Sequence, residues 1–120
     1  MAKILIVDDS AMSRRIVRRI LEGAGHEAIE AEDGMIAVEK YFLDKPDLVL
    51  LDLTMKGLSG LEVLQKLREM DQRACVVVAS ADIQDSTRSI TKEGGAVGFV
   101  TKPFTESKLI TAVESALKER

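Results

Sequence analysis

Apolar runs alternate with amphipathic segments along the whole of this chain. Three runs, at residues 3–7, 48–51 and 76–79, carry almost no polar side chain. Such runs are typical of strands that are buried on both faces of a parallel sheet. Residues 97–101 form a similar segment, and the weaker alternation at residues 27–31 predicts an outer strand. The pattern therefore predicts five strands.

Apolar residues with helical spacing follow the first three of these strands in sequence order. The first helix is expected to start after an N-cap at Ser10 and to end at the glycines of positions 23–25. A second helix follows Asp33, and a third follows a capping box of Ser59 and Glu62. The side chains predicted to be buried are Met12, Ile16, Val17, Ile20 and Leu21 in the first helix, Ile36, Ala37, Val38, Tyr41 and Phe42 in the second, and Leu61, Leu64, Leu67 and Met70 in the third.

The last two predicted helices differ in apolar surface. Residues 84–93 are rich in Ser and Thr, so this is predicted to be the least stable helix. Pro103 and Thr105 open a C-terminal helix with a complete apolar face. Strand and helix thus alternate five times, which predicts an α/β fold: a doubly wound (βα)5 domain with five parallel strands and helices on both faces.

Composition adds little to this picture but excludes some classes of protein. The chain has 120 residues without a linker or repeat, so one domain is expected over residues 1–120. A net charge of −3 gives no support to direct nucleic-acid binding. One cysteine, Cys75, excludes an internal disulfide and fits a reducing compartment. Neither a signal peptide nor a membrane span is indicated, so a cytoplasmic location is expected.

Polar side chains stand where four of the predicted strands end. Asp8 and Asp9 follow the first strand, Asp52 follows the third, Ser80 the fourth and Lys102 the fifth. Parallel strands bring their carboxyl ends to one edge of a sheet, and open α/β sheets bind their ligands there. One such residue is often only a cap or turn residue. Polar residues at the carboxyl ends of four parallel strands together predict one shared pocket.

The residue types in that pocket favour phosphoryl transfer. Three crowded carboxylates repel one another, and a hard divalent cation such as Mg²⁺ relieves the repulsion while accepting a phosphate oxygen. Lys102 supplies a positive charge and Ser80 a hydrogen-bond donor, which suits chemistry that depends on positioning and charge neutralisation. Aspartate can accept a phosphoryl group covalently, and Asp52 has the central position.

A basic face on the first helix lies beside this acidic pocket. Arg14, Arg15, Arg18 and Arg19 form it. Two interpretations stay open: a solvated helix face, or a docking surface for an acidic or phosphorylated partner.

With these residues identified, the chain resembles the receiver domains of two-component response regulators, and most of all the stand-alone chemotaxis type. The resemblance covers essentially the whole chain. It rests on IVDDS, on LLDLTM followed by Gly60, on VVVASA and on GGAVGFVTKPF. It implies the strand order 2-1-3-4-5 and partners of two kinds: a histidine kinase or histidine phosphotransfer protein as phosphoryl donor, and a downstream protein target.

The resemblance also implies a role for each site residue. Asp52 receives the phosphoryl group. Asp9, Asp52 and the Thr54 carbonyl bind Mg²⁺ directly, and Asp8 does so through water. Lys102 pairs with the phosphoryl oxygens.

Two further features are implied. Ser80 hydrogen-bonds the phosphate and is coupled to Phe99 as an aromatic switch. The Lys102–Pro103 bond is expected to be cis.

Three positions depart from the family pattern. Lys56 stands where proline is usual, Thr54 where Asn or another residue able to influence water is often found, and Phe99 where tyrosine is also common. Val97-Gly98 lacks an acidic pair seen in many DNA-binding relatives, which favours a stand-alone regulator.

Other interpretations stay open at this point. The chain can be a receiver domain excised from a larger regulator. A Mg²⁺-dependent phosphohydrolase with an aspartyl-phosphate intermediate would need spaced rather than adjacent carboxylates and a cap domain. A flavin carrier would need a phosphate loop where Asp8-Asp9 stand, and more aromatic residues than the 3% present.

Thr54 and Asp82 lie two residues after Asp52 and Ser80, and both are expected to border the path of a water that attacks the phosphorylated Asp52. Neither side chain orients water as an amide does, so hydrolysis should be slow to moderate for this family. The variant Thr54→Asn should change the dephosphorylation rate several-fold, as followed by the decay of the phosphorylated form. Equal decay in the two proteins would count against this role.

Overall fold

The computed structural model describes residues 2–53, 60–81 and 85–119. Strands and helices alternate through these ranges. The strands are β1 (Lys3–Val7), β2 (Glu27–Ala31), β3 (Leu48–Asp52), β4 (Val76–Ser80) and β5 (Gly98–Thr101). The helices are α1 (Ala11–Gly23), α2 (Gly34–Asp44), α3 (Gly60–Met70), α4 (Asp85–Glu93) and α5 (Glu106–Glu119).

All strand pairs are parallel, in the order β2-β1-β3-β4-β5, which confirms the predicted sheet. The chain moves outward from β1 to β2 and then crosses to β3 on the other side of β1. This reversal opens a crevice at the carboxyl ends of β1 and β3. The register places the carboxyl ends of neighbouring strands at the same level, since Asp52 pairs with Ala79 and Ser80 pairs with Thr101.

Alternate side chains of the three central strands build two cores, one on each face of the sheet. Ile4 and Ile6 point to the face covered by α1 and α5, whereas Leu5 and Val7 point to the face covered by α2 and α3. The central strands have no solvent-exposed face, which explains why their sequences are continuously apolar.

The predicted N-cap of the first helix is confirmed, and Asp33 caps the second helix. The Ser10 hydroxyl accepts a hydrogen bond from the Ser13 N–H (3.2 Å), and an Asp33 carboxylate oxygen accepts one from the Ile36 N–H (2.9 Å). Ser59, the first residue of the predicted capping box, lies outside the described residues. No helix in the described ranges has the length and apolar character to cross a bilayer.

Several predicted core positions are wrong. In α1, Val17 and Leu21 are buried, but Met12 and Ile16 are 70% and 52% exposed. The face that turns inward carries Arg14 instead, whose side chain is only 12% exposed because it pairs with Glu30 of β2. The predicted core residues Phe42 of α2 and Leu61 and Met70 of α3 are also exposed.

Helix α4 has the least apolar anchoring among its described side chains. Ile90 is half exposed, and the buried residue is Thr91, whose hydroxyl donates to the Arg88 carbonyl (2.9 Å). The small apolar contribution agrees with the sequence-based expectation for this segment.

A partly buried hydrogen bond joins the second helix to the residue that follows the third helix, at the end of the sheet opposite the carboxyl edge. The Tyr41 hydroxyl donates to Asp71 Oδ2 at 2.8 Å. The Arg73 N–H and this hydroxyl lower the pKa of Asp71, whereas burial and the same contact raise the pKa of Tyr41. The tyrosine is therefore a neutral donor to a charged acceptor.

We expect Tyr41→Phe to lower the free energy of unfolding by about 1–2 kcal/mol at pH 7, because a hydrogen bond to a charged group is lost. Asp71 has a lowered pKa in the folded state, so its contribution is present at neutral pH and lost as the pH falls. The difference between the two proteins should thus narrow below about pH 4. Urea denaturation at several pH values measures it.

Phe42→Leu is the matched control, since Phe42 lies next to Tyr41 but is exposed. It should change stability by less than about 0.5 kcal/mol. An equal loss in both variants, or a difference that does not depend on pH, would contradict the role given to the hydrogen bond.

Candidate functional site

The carboxyl edge of the sheet brings the predicted polar residues together. Asp8 directly follows β1, Asp52 ends β3, Ser80 ends β4 and Lys102 directly follows β5. Asp8, Asp52 and Ser80 are buried, although each is polar. Asp9 is exposed at the mouth of the same edge. The parallel register explains why these residues meet. Each strand contributes either its last residue or the residue that follows it, and these residues lie at the same edge of the sheet.

The three carboxylates are close enough to share one cation. One oxygen from each of Asp8, Asp9 and Asp52 lies within 4.8 Å of the other two. Oxygen donors, two of them buried and one open to solvent, are the ligands that a hard divalent ion such as Mg²⁺ prefers, and its remaining positions can hold water or phosphate oxygens. The donor set therefore fits Mg²⁺.

Lys102 balances part of this negative charge. Its Nζ lies 3.3 Å from Asp8 Oδ2 and 3.4 Å from Asp52 Oδ2. Its backbone N–H donates to the Ser80 carbonyl at 2.8 Å, which holds the base of the side chain against β4. One ammonium facing three carboxylates leaves a net charge of two negative units, which a divalent cation would balance.

Asp8 is held in its ionised form. Burial raises the pKa of this carboxyl group, but the Ser10 N–H, a hydrogen bond from the Ser13 side chain and the Lys102 charge together outweigh burial. The pKa of Asp8 therefore lies below its ordinary value. The Ser10 N–H donates to Asp8 Oδ1 at 2.9 Å, so both carboxylate oxygens have partners.

Phe99 lies beside the site on the face of the sheet covered by α2 and α3. Its ring is partly buried, and the Arg88 guanidinium carbon stands 5.1 Å from the ring centroid. Arg88 also donates to the Thr101 hydroxyl (3.2 Å), and Thr101 pairs in register with Ser80. One side chain of α4 thus contacts two residues of β5, Thr101 opposite Ser80 and Phe99 opposite Val78.

The sequence analysis missed Arg88, because no local signal relates an arginine in a polar helix to an aromatic residue in the next strand. It also missed Glu30. Arg14 Nε lies 3.0 Å from one oxygen of Glu30, and Arg18 Nη1 lies 2.8 Å from the other. These contacts lower the pKa of Glu30, the Arg18 hydrogen bond most of all.

The remaining predicted residues are placed as follows. Arg15 is exposed on α1. The Lys102–Pro103 bond is cis. Thr54 and Asp82 lie outside the described residues, so the predicted carbonyl ligand and the predicted border of the water path stay predictions.

Known proteins are similar to this chain in sequence and in fold. The family model for the response regulator receiver domain matches residues 4–114. The chemotaxis protein CheY of Bacillus subtilis is 38% identical over 116 residues, which cover 96% of this chain and 97% of that protein. CheY of Thermotoga maritima is 37% identical, with 97% and 98% covered.

The backbone comparison agrees. The structure of the Vibrio cholerae chemotaxis protein CheY4 superimposes with a TM-score of 0.92 at 29% identity and covers 97% of this chain and 98% of that one. The matched family model, the relatives that align over nearly their whole length and the backbone superposition are mutually consistent, so this chain belongs to the response regulator receiver domain family.

Proposed function

We propose that Asp52 accepts a phosphoryl group from a phosphohistidine of a histidine kinase or phosphotransfer protein, in a reaction that depends on Mg²⁺. The observation that carries this proposal is the group of three carboxylates within 4.8 Å of one another, two of which, Asp8 and Asp52, pair with the Lys102 ammonium. This charge arrangement suits a phosphoryl group and its cation better than it suits any neutral ligand.

Asp52 is the best placed of the three carboxylates to act as the acceptor. Asp8 is committed to Ser10 and Lys102 through its two oxygens. Asp9 is exposed and lies at the mouth of the site. Asp52 ends β3, with Asp8 and Asp9 on one side and the ends of β4 and β5 on the other, and one of its oxygens already faces Lys102.

In the proposed reaction, one Asp52 carboxylate oxygen forms a bond to phosphorus while the bond from phosphorus to the donor imidazole nitrogen breaks. The bonding electron pair returns to that nitrogen. Lys102 keeps its ammonium beside Asp52 and can pair with a phosphoryl oxygen. Asp8, Asp9 and Asp52, with the Thr54 carbonyl, would hold Mg²⁺, which when bound neutralises negative charge on the transferred group.

The proposed output passes through the sheet edge to a downstream protein target. A phosphoryl oxygen near the end of β4 would attract the Ser80 hydroxyl by a charge-assisted hydrogen bond, worth about 1.5–3 kcal/mol. The Arg88 contacts with Phe99 and Thr101 lie next to this position and would respond to its movement. The altered surface would comprise α4, β5 and α5.

Other parts of the proposal follow from the same family. The protein is a signalling module rather than a classical enzyme, and we propose that it catalyses only its own phosphorylation and dephosphorylation. Its relatives' names place them in chemotaxis, so a chemotaxis-type pathway is proposed here, in the cytoplasm. The docking role of Arg14, Arg15 and Arg18 stays a prediction; Arg14 and Arg18 are already paired with Glu30.

Acetyl phosphate with Mg²⁺ should add one phosphoryl group to the protein, and Asp52→Ala or a chelator should abolish the addition. Intact mass spectrometry measures it. Asp44→Ala is the control, since Asp44 is an exposed carboxylate at the far end of α2, and it should be labelled like the unmodified protein. Labelling of Asp52→Ala at the normal level would sink the assignment.

Beryllofluoride with Mg²⁺ should shift backbone amide resonances from the site to residues 84–99, because the relay passes through Ser80 and Phe99. In Ser80→Ala the distant shifts should largely disappear while those of Asp8 and Asp9 persist. Ser107→Ala, an exposed serine in α5, should leave both sets unchanged. The relay is wrong if the shifts are confined to the acidic pocket, or if Ser80→Ala keeps them all.

A further inference from the structure

The backbone of Asp8 is tied to side chains and strands outside the acidic pocket. Its N–H donates to the Ala31 carbonyl of β2 at 3.2 Å. Its carbonyl accepts a hydrogen bond from Arg14 Nη1 of α1 at 2.5 Å. The side chain has its own partners in Ser10 and Lys102, so every polar group of Asp8 is fixed.

The Arg14 contact matters because of the peptide bond that it holds. The Asp8 carbonyl and the Asp9 N–H belong to one planar unit. Fixing the carbonyl therefore fixes the direction in which the chain continues to the Asp9 Cα. Asp9 is the exposed member of the carboxylate group and directly follows this peptide unit, whose carbonyl accepts the Arg14 hydrogen bond.

Glu30 in turn fixes Arg14. The Arg14 guanidinium donates to Glu30 Oε1 through Nε at 3.0 Å and to Asp8 through Nη1, so one planar group spans the two acceptors. Arg18 Nη1 holds the other Glu30 oxygen at 2.8 Å, and Lys40 Nζ donates to the Glu30 carbonyl. Side chains of α1 and α2 thus converge on this one residue of β2.

We infer that Arg14, clamped by Glu30, is a positioning residue that sets the orientation of the Asp8–Asp9 peptide and so holds Asp9 in place for the divalent cation. The inference rests on the proposed function for the identity of the cation. It gives the arginine face of α1 an internal role at Arg14, separate from any docking role of the exposed Arg15.

Positioning and simple electrostatics predict opposite signs for the loss of Arg14. A positive charge near the three carboxylates repels a dication, so its removal by itself should tighten Mg²⁺ binding. Loss of the orienting hydrogen bond should weaken Mg²⁺ binding, since groups that orient metal ligands commonly contribute about 10- to 100-fold in affinity. The sign of the change therefore identifies the role.

The experiment is Mg²⁺ titration by isothermal titration calorimetry on the whole chain. Arg14→Ala should raise the Mg²⁺ dissociation constant about tenfold. Arg14→Lys keeps the charge but lacks the planar fork that reaches both acceptors, so it should also bind Mg²⁺ several-fold more weakly. Thermal unfolding by circular dichroism establishes that each variant is folded, and Arg14→Lys decides the matter where Arg14→Ala does not fold.

Arg18→Ala is the matched control. Arg18 lies on the same helix, carries the same charge and pairs with the same Glu30, but its other described partner is Glu22, whereas that of Arg14 is the Asp8 carbonyl. Its removal should change the Mg²⁺ affinity less than twofold. Glu30→Gln should give a loss between those of Arg18→Ala and Arg14→Ala, because it weakens the clamp and leaves the Arg14 charge uncompensated.

A second measurement needs no metal. The Asp9 amide resonance and its ps–ns order parameter in the metal-free protein should change in Arg14→Lys and stay unchanged in Arg18→Ala. Tighter or unchanged Mg²⁺ binding by Arg14→Ala, or an Asp9 amide that is the same in all three proteins, would overturn the inference. If the unmodified protein does not bind millimolar Mg²⁺, the proposed function fails, whereas the Asp9 amide still tests the hold of Arg14 on the loop.

Discussion

The ion pairs of Lys102 with Asp8 and Asp52 are the interactions on which the site depends. The pair with Asp8 joins residues that are 94 positions apart in the chain, and the two pairs together connect the ends of β1, β3 and β5. Two carboxylates buried at one sheet edge would repel each other without a cation nearby. Lys102 supplies one positive charge, and the negative charge that remains on the carboxylates is the amount that a divalent cation would balance.

In the proposed function, the same arrangement would carry a local change of charge to a distant surface. Lys102 is bonded through its backbone to Ser80, Ser80 pairs in register with Thr101, and Arg88 of α4 contacts Thr101 and Phe99. Helix α4 has little buried apolar surface among its described side chains. It can therefore shift for a small free-energy cost, which suits a signalling element.

The wrong predictions concern which face of a helix is buried. The apolar stripe that includes Met12 and Ile16 has good helical spacing. The helix nevertheless packs with Arg14 toward β2, where the guanidinium donates hydrogen bonds to Glu30 and to the Asp8 carbonyl. The spacing of apolar residues does not predict such contacts, because a prediction made from it places every arginine on the solvent-facing side. The prediction for Phe42 fails for a related reason: the second helix is apolar on more than one side, so periodicity alone does not identify its buried face.

The sequence by itself determined the five strands, the five helices and the polar residues at the strand ends. Strands that are buried on both faces must be continuously apolar, and that requirement is visible within five residues. With the resemblance to receiver domains, it also gave the strand order. Only the tertiary structure decided which side of α1 faces the sheet, that Glu30 clamps Arg14, and that Arg88 lies over Phe99. Those contacts depend on how each helix is rotated against strands far away in sequence, and the local pattern of a helix does not contain that rotation.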